Sequence, residues 1–181
     1  IFHRLMRVGI RDRAAARRSL DRTLGWDFDR HRGLWRSDGT EAGTVVLRDI
    51  VAGPESSFPL GFTGLGSRAV FSANGEPWVT DGTAVGTNLL VDILPGSTSS
   101  SPSEFTRFAN RVHFAASDGD GVGQHGRELW VTDGTAAGTT LFKDIVVGTG
   151  SSSPSDLTPI AFNLFFAATD ADGRELWSSD G

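Results

Sequence analysis

The sequence predicts an all-β fold built from tandem four-stranded antiparallel units, and three observations support this. A phrase centred on tryptophan recurs four times, at Trp35, Trp78, Trp130 and Trp177. The spacings of 43, 52 and 47 residues are typical of repeat proteins whose units carry several strands. The 23 glycines among 181 residues, with many serines and threonines, indicate a chain rich in turns and without long helices.

Each unit has room for four short strands, which are clearest around Trp130. Apolar alternation predicts strands over residues 104–109, 112–117, 128–132 and 140–145. From each tryptophan to the phenylalanine of the next apolar strand the distance is 36 residues, whereas the distance onward to the next tryptophan varies from 7 to 16. The length variation therefore lies in one loop. Four strands at this period favour β-propeller-like blades, about three in an incomplete ring, with a β-solenoid as the alternative.

Two recurring polar segments separate the strands. After the third strand comes Asp-Gly-Thr, as at Asp133, Gly134 and Thr135. A hairpin here needs a positive φ and a side chain that caps backbone amides, so the phrase predicts a turn rather than a repeated catalytic aspartate. After the fourth strand, a serine-rich segment ending in proline, such as 151–154, is predicted to carry the chain to the next unit.

Charge divides the chain near residue 33. Residues 1–33 hold nine arginines and four aspartates, whereas 34–181 carry a net charge of −10. We expect 1–33 to be a linker or disordered, with a basic helix that binds acidic partners as the alternative. The repeat region, with units starting near 34, 77, 129 and 176, repels phosphate backbones, so nucleic acid is not an expected partner. No apolar run reaches membrane-spanning length.

The repeated phrase resembles a known family. Residues 128–139 read Glu-Leu-Trp-Val-Thr-Asp-Gly-Thr-Ala-Ala-Gly-Thr and 143–145 read Lys-Asp-Ile, which is similar to the bacterial ELWxxDGT repeat family, often labelled hyalin-repeat proteins. Gly33 and Pro77 depart from the pattern. The resemblance covers 34–181 and implies a large exported or cell-surface protein without an assigned activity. The chain begins without Met and ends inside the phrase, so we expect further parent chain to complete the fold.

The loop of variable length is the expected binding surface, because a rigid scaffold with one loop of free length is a common design for recognition. The predicted binding residues of this loop are Gln124, His125, Arg127 and Arg174. Aspartates spaced two apart, as in calcium loops, make four candidate calcium ligands: Asp118, Asp120, Asp170 and Asp172. The closing glutamate of the full calcium pattern is missing, so a structural turn is the competing interpretation.

Two other kinds of residue have both a structural and a functional interpretation. His113 stands where the sibling units have Val70 and Phe165, so it is either a buried strand residue or a functional substitution. The tryptophans either pack between units or stack on a ligand.

The sequence favours a non-enzymatic scaffold that binds protein or glycan in an adhesive role, and the resemblance implies that it is exported or at the cell surface. No catalytic residue is predicted, and no cofactor other than the candidate calcium. The alternative is part of a propeller enzyme, a hydrolase or lyase, whose catalytic residues the sequence does not identify. The motifs G-x-S-x-G and H-E-x-x-H are both missing from the chain.

Overall fold

The computed structural model describes residues 33–52, 55–96 and 98–181. The arginine-rich segment predicted over 1–33 lies outside these residues except for Gly33. The described chain is all-β, as predicted, with thirteen strands joined by turns and loops. None of its described elements is a helix with the length and apolar character that a membrane span needs.

The strands form four antiparallel sheets that follow one another along the chain. The leading sheet pairs β1 (Leu34–Arg36) with β2 (Val45–Arg48). The first sheet contains β3 (Leu60–Leu65), β4 (Arg68–Ala73), β5 (Glu76–Thr80) and β6 (Asn88–Leu89). The second sheet contains β7 (Ser103–Phe108), β8 (Arg111–Ser117), β9 (Arg127–Thr132) and β10 (Thr140–Lys143). The third sheet contains β11 (Ser155–Ile160), β12 (Asn163–Asp170) and β13 (Gly173–Ser179).

The four strands predicted around Trp130 are all present in the second sheet, with shifted ends. The first three begin one residue earlier than predicted. The fourth ends at Lys143 instead of residue 145. It stops early because the amide of Ile145 leaves the strand ladder and donates to the side chain of Glu128, at 3.0 Å.

The sheets pack face to face through third strands that are apolar on both sides. Leu129 of β9 faces the third sheet and lies in one buried cluster with Leu157 and Leu164. Trp130, on the opposite face of β9, packs with Phe114 and with Ile93 of the segment that leaves the first sheet. The structure therefore places this tryptophan between units, as the packing interpretation predicts.

The first strands of successive sheets lie side by side. The hydroxyl of Thr63 in β3 donates to the carbonyl of Phe105 in β7, at 2.7 Å. One sheet further on, the hydroxyl of Thr106 donates to the carbonyl of Leu157 in β11, at 3.2 Å. The sheets are thus joined along one edge as well as through their faces.

A buried glutamate ties each sheet to the segment that leads to the next. Glu128 accepts the Ile145 amide and the Ser152 hydroxyl on Oε2, at 3.0 and 2.6 Å, and the Ser152 amide on Oε1, at 2.8 Å. The Ser152 carbonyl in turn accepts the amide of Thr169 in β12, at 2.8 Å. One carboxylate therefore fixes the crossover, and the crossover fixes the third sheet. We call this arrangement the glutamate clamp.

The same clamp occurs one unit earlier. Glu76 accepts the Ile93 amide at 3.0 Å, the Ser100 amide at 2.8 Å and the Ser100 hydroxyl at 2.7 Å. The Ser100 carbonyl accepts the amide of Ser117 at the end of β8, at 2.9 Å. The repeated geometry explains why a glutamate stands at the start of the third strand in both units.

Replacing Glu128 by alanine is expected to lower the free energy of unfolding by about 3 kcal/mol, because it leaves buried donors without an acceptor. The matched control is Glu175→Ala, since Glu175 occupies the same position on β13 but is exposed. That change should stay within about 0.5 kcal/mol of the unsubstituted protein. Urea denaturation measures both, and equal losses in the two variants would contradict the clamp.

Candidate functional site

The Asp-Gly-Thr phrase forms a closed turn between the third and fourth strands. Asp133 Oδ1 accepts the amide of Thr135 at 2.9 Å and its hydroxyl at 2.6 Å. The Thr135 hydroxyl oxygen accepts the amide of Gly138, at 3.0 Å. Gly134 has a φ of 85°, and a Cβ on Gly138 would collide with the Asp133 carboxylate. The turn therefore requires these residue types for its own backbone, which confirms the structural interpretation.

The same bonds recur at Asp38 and Asp81, and they set the ionisation of the aspartates. In each turn the threonine hydroxyl, followed by the threonine amide, holds the pKa of the aspartate below its usual value of 3.8. These carboxylates are engaged as acceptors on the surface of the protein. They are poor candidates for proton transfer near neutral pH.

The turns also touch the preceding unit. Arg36 of the leading sheet donates to the carbonyl of Gly82, at 3.3 Å. Arg68, in the first sheet, donates to the carbonyl of Gly134 in the second sheet, at 3.1 Å. The recurring phrase therefore helps to join the units.

The variable loop of the second sheet, residues 118–126, is organised by Asp118 and His125. Asp118 Oδ1 accepts the His125 amide and Oδ2 lies against His125 Nδ1, both at 2.7 Å. The hydrogen bond that Asp118 accepts from the ring raises the pKa of His125, and the charges of Asp144 and Glu128 act in the same direction. With Nδ1 engaged, Nε2 is the ring atom of His125 that can serve a ligand.

Gln124 is engaged inside the loop and Val122 forms its exposed tip. The side-chain oxygen of Gln124 accepts a hydrogen bond from the backbone amide of Gly121. The backbone amide of Gln124 donates to the Gly121 carbonyl, at 3.0 Å. Val122 is fully exposed. Of the predicted binding residues in this loop, His125 is thus the one presented from a fixed position beside an exposed apolar tip.

The two predicted binding arginines make equivalent bonds in their own sheets. Arg127 donates to the carbonyl of Ser101 at 2.9 Å and to the hydroxyl of Ser103 at 2.7 Å. Arg174 donates to the carbonyl of Ser153 at 3.2 Å and to the hydroxyl of Ser155 at 2.7 Å. These bonds hold the start of the first strand against the third. The signal in the sequence is the Gly-Arg-Glu that stands at the start of both third strands.

The candidate calcium ligands are only partly brought together. Asp118 is paired with His125, and Asp170 Oδ1 accepts the amide of Asp172 at 2.9 Å within a tight turn. Asp120 is exposed at the loop. Across the described ranges, His, Asp and Glu side chains nowhere gather in a group of three or more that could hold a metal ion. Calcium binding stays a prediction.

Asp144 is a polar residue that sequence reasoning did not single out. Its Oδ2 accepts the amide of Gly148 at 3.3 Å, whereas its Oδ1 is buried and has no hydrogen-bond partner among the described residues. The charge of Asp144 raises the pKa of His125. Asp118 and His125 therefore form a hydrogen-bonded pair that belongs to this loop, whereas Asp144 recurs in the other units as Asp49 and Asp92.

His113 lies in the interface between the second and third sheets. It is 1% exposed, and neither ring nitrogen has a hydrogen-bond partner in the part of the chain described. Its ring meets Phe142 edge-on at 5.0 Å and lies 6.0 Å from Phe108. Burial, with a smaller contribution from Arg111, lowers the pKa of His113 to about 4. The structure thus places it as a neutral residue of the core.

Replacing Asp133 by asparagine is expected to destabilise the protein near neutral pH, because the ionised carboxylate is the better acceptor for Thr135. The pKa of Asp133 is lowered by folding, so its contribution is complete above 3.8 and is lost as the pH falls further. The difference in free energy of unfolding between the two proteins should therefore shrink in acid. Denaturation at several pH values measures it, with Asp120→Asn as the control; a constant difference would refute the mechanism.

Replacing His113 by phenylalanine, the residue at the equivalent Phe165, should remove an acid-dependent loss of stability. The folded pKa of about 4 lies below the usual 6.5, so stability is complete above 6.5 and falls as the pH drops towards 4. The loss should reach about 3 kcal/mol in the unsubstituted protein. In the variant, the free energy of unfolding measured across this range should change little with pH. An unchanged slope would show that His113 is not the group responsible.

The chain stands apart from characterised proteins in direct comparison. No protein-family model, curated protein or solved structure matches it. The similarity to the ELWxxDGT repeats therefore rests on the residues of the motif alone. The geometry of the loop and of the repeated bonds is the basis for a functional proposal.

Proposed function

We propose that this chain forms propeller-like blades of a non-enzymatic ELWxxDGT repeat scaffold on the outside of a bacterial cell, where it binds protein or glycan. The observation that carries the proposal is the division of polar residues between structure and surface. Glu128, Asp133 and Arg127 make the same structural bonds as their counterparts in other units. The loop over 118–126 is the part that differs between units and projects from this frame.

The sheet arrangement supports the propeller interpretation. Consecutive antiparallel sheets pack face to face, and their first strands β3, β7 and β11 lie next to one another. In a propeller the blades follow one another in this way around an axis. Further units of the parent protein would complete the ring.

The chemistry of the loop favours a polar or basic ligand with an apolar part. His125 presents Nε2 beside the exposed Val122, and Asp118 and Asp144 keep the surroundings negative. Sugar hydroxyls, or a lysine or arginine side chain, suit a loop that combines negatively charged side chains with an apolar tip. The ligand class is thus a glycan or a basic protein surface.

One observation favours the enzyme alternative, a hydrolase or lyase. A carboxylate bonded to histidine Nδ1 is the arrangement by which enzymes orient a general base, and Asp118 with His125 has this geometry. Among the described residues, no side chain donates a hydrogen bond to His125 Nε2, so this part of the chain places no nucleophile beside the pair. A reaction would have to use water or a substrate hydroxyl.

Replacing residues 118–126 by Asn-Gly, the pair that joins β4 to β5 at Asn74 and Gly75, should abolish binding without unfolding the protein. Lengthening or shortening a surface loop changes stability by only about 1 kcal/mol. The melting temperature should therefore shift by a few degrees at most, since a chain of this length loses about 2–4 °C per kcal/mol. Binding is measured on arrays of immobilised glycans and of extracellular proteins.

A second variant, His125→Gln, removes the histidine and keeps the loop length. Weaker binding of both variants would support the loop as the recognition surface. Binding that survives loop replacement would overturn the proposal. Hydrolysis or elimination of a test glycan that is lost in His125→Gln would support the enzyme alternative instead.

A further inference from the structure

His113 brings a titratable ring into a contact that a sibling unit makes with apolar side chains. In the second sheet the ring lies against Phe142 and near Phe108, and the residue is 1% exposed. One unit earlier the three equivalent positions belong to one apolar cluster and hold Val70, Leu90 and Leu65. The repeat therefore fills this position with an apolar side chain in one unit and with an ionisable one in the next.

The ring of His113 faces the third sheet. Side chains alternate along β8, so that Val112 and Phe114 pack towards the first sheet while His113 points the opposite way. On that side Leu129 of β9 and Leu164 of β12 lie in one buried cluster. A charge on His113 would therefore act on the interface between the second and third sheets, and not on the interface between the first and second.

No acceptor is in place for a charged His113. Neither ring nitrogen has a hydrogen-bond partner within the described residues. The charge that acts on the pKa of His113 is that of Arg111, which has the same sign as a protonated ring. Protonation would therefore add a positive charge that the surrounding side chains do not compensate.

The other charged residues on the strands around His113 are exposed to solvent or engaged in other bonds. The exposed ones are Glu104, Arg107, Lys143, Asp156, Arg174 and Glu175. The engaged ones are Arg127, Glu128 and Asp133, with the bonds described above, and Asp170, whose Oδ1 accepts the amide of Asp172.

A protonated His113 has to reach water, because a buried charge without partners is strongly unfavourable. The strand that carries it, β8, is bonded to β7 on one side and to β9 on the other. Breaking these ladders would unfold the second sheet. Parting the second and third sheets admits water to the ring and leaves the ladders whole. Among the bonds that this breaks is the one from the Thr169 amide to the Ser152 carbonyl.

We propose that the interface between the second and third sheets is an acid-opened joint, and that His113 is the group that opens it. Protonation of the ring separates these two sheets while the first and second sheets stay packed. The opening is a local event at one joint, distinct from unfolding of the whole chain. It belongs to the frame of the repeat and does not depend on what the loop over 118–126 binds.

The pH range of the opening follows from the two states of His113. In the closed joint the pKa is about 4, and in the open joint the ring is solvated and regains its ordinary value of 6.5. Between these values the open joint binds a proton that the closed joint does not, so acid favours opening. The ratio of open to closed joints should rise by about tenfold for each unit that the pH falls between 6.5 and about 4.

Hydrogen exchange of single amides tests the proposal, measured by NMR on the full chain from pH 6.5 to about 4. The Thr169 amide donates to the Ser152 carbonyl across the proposed joint. Its matched counterpart is the Ser117 amide, which donates to the Ser100 carbonyl across the preceding interface. The protection factor of Thr169 should fall by about tenfold per pH unit, because exchange reports rare local opening. The protection factor of Ser117 should change little.

Two substitutions should exchange the behaviour of the two interfaces. In His113→Phe, the protection factor of Thr169 should no longer depend on pH. Val70→His places the ring at the equivalent position of the first sheet, so Ser117 should become acid-sensitive while Thr169 keeps its own response. Circular dichroism above pH 6.5 verifies that both variants are folded.

Three results would overturn the proposal. In the first, Thr169 and Ser117 lose protection together, which is unfolding of the whole chain and not the opening of one joint. In the second, the acid response of Thr169 persists in His113→Phe. In the third, the protection factor of Thr169 stays constant down to a pH of about 4.

Discussion

The position of one sheet against the next depends on a buried carboxylate. A charged group inside a protein is destabilising by several kcal/mol unless it is fully hydrogen-bonded. Glu128 meets this requirement with donors that all come from the crossover, at Ile145 and Ser152. Because the Ser152 carbonyl then binds β12, the position of the third sheet follows from the clamp. The same dependence holds one unit earlier for Glu76.

The repeated polar residues therefore have a common physical purpose. Each serves groups at a point where a strand begins or ends: Asp133 caps the turn after the third strand, and Arg127 binds the start of the first strand. The apolar residues fill the space between the sheets, as Trp130 and Leu129 do on opposite faces of β9. The phrase recurs because the backbone groups of every unit need the same hydrogen bonds. It therefore says little about the chemistry of any one unit.

Periodicity predicted what is local in this fold, and it missed what is distant. The four strands, the turn at Asp133 and the packing of Trp130 between units all follow from patterns within a few residues. The glutamate clamp does not, because the donors to Glu128 lie 17 and 24 residues away. Arg127 and Arg174 are predicted to bind a ligand because they border the variable loop, and this stays a prediction; their hydrogen bonds to the start of the first strand did not follow from the local pattern. The burial of His113 was one of two interpretations that the strand pattern left open.

The clamp also explains why one loop is free to change length. Below the loop, the hairpin is fixed to the crossover by a bond that both units share: the amide of Ser101 donates to Gly75, and the amide of Ser153 donates to Arg127, at 3.2 and 3.1 Å. Beyond this bond, the tip of the loop over 120–123 is exposed to solvent. Since the entropic cost of closing a loop rises only slowly with its length, an insertion there destabilises the fold little. Recognition can therefore differ from unit to unit at this loop while Glu128 and Ser152 keep the sheets in place.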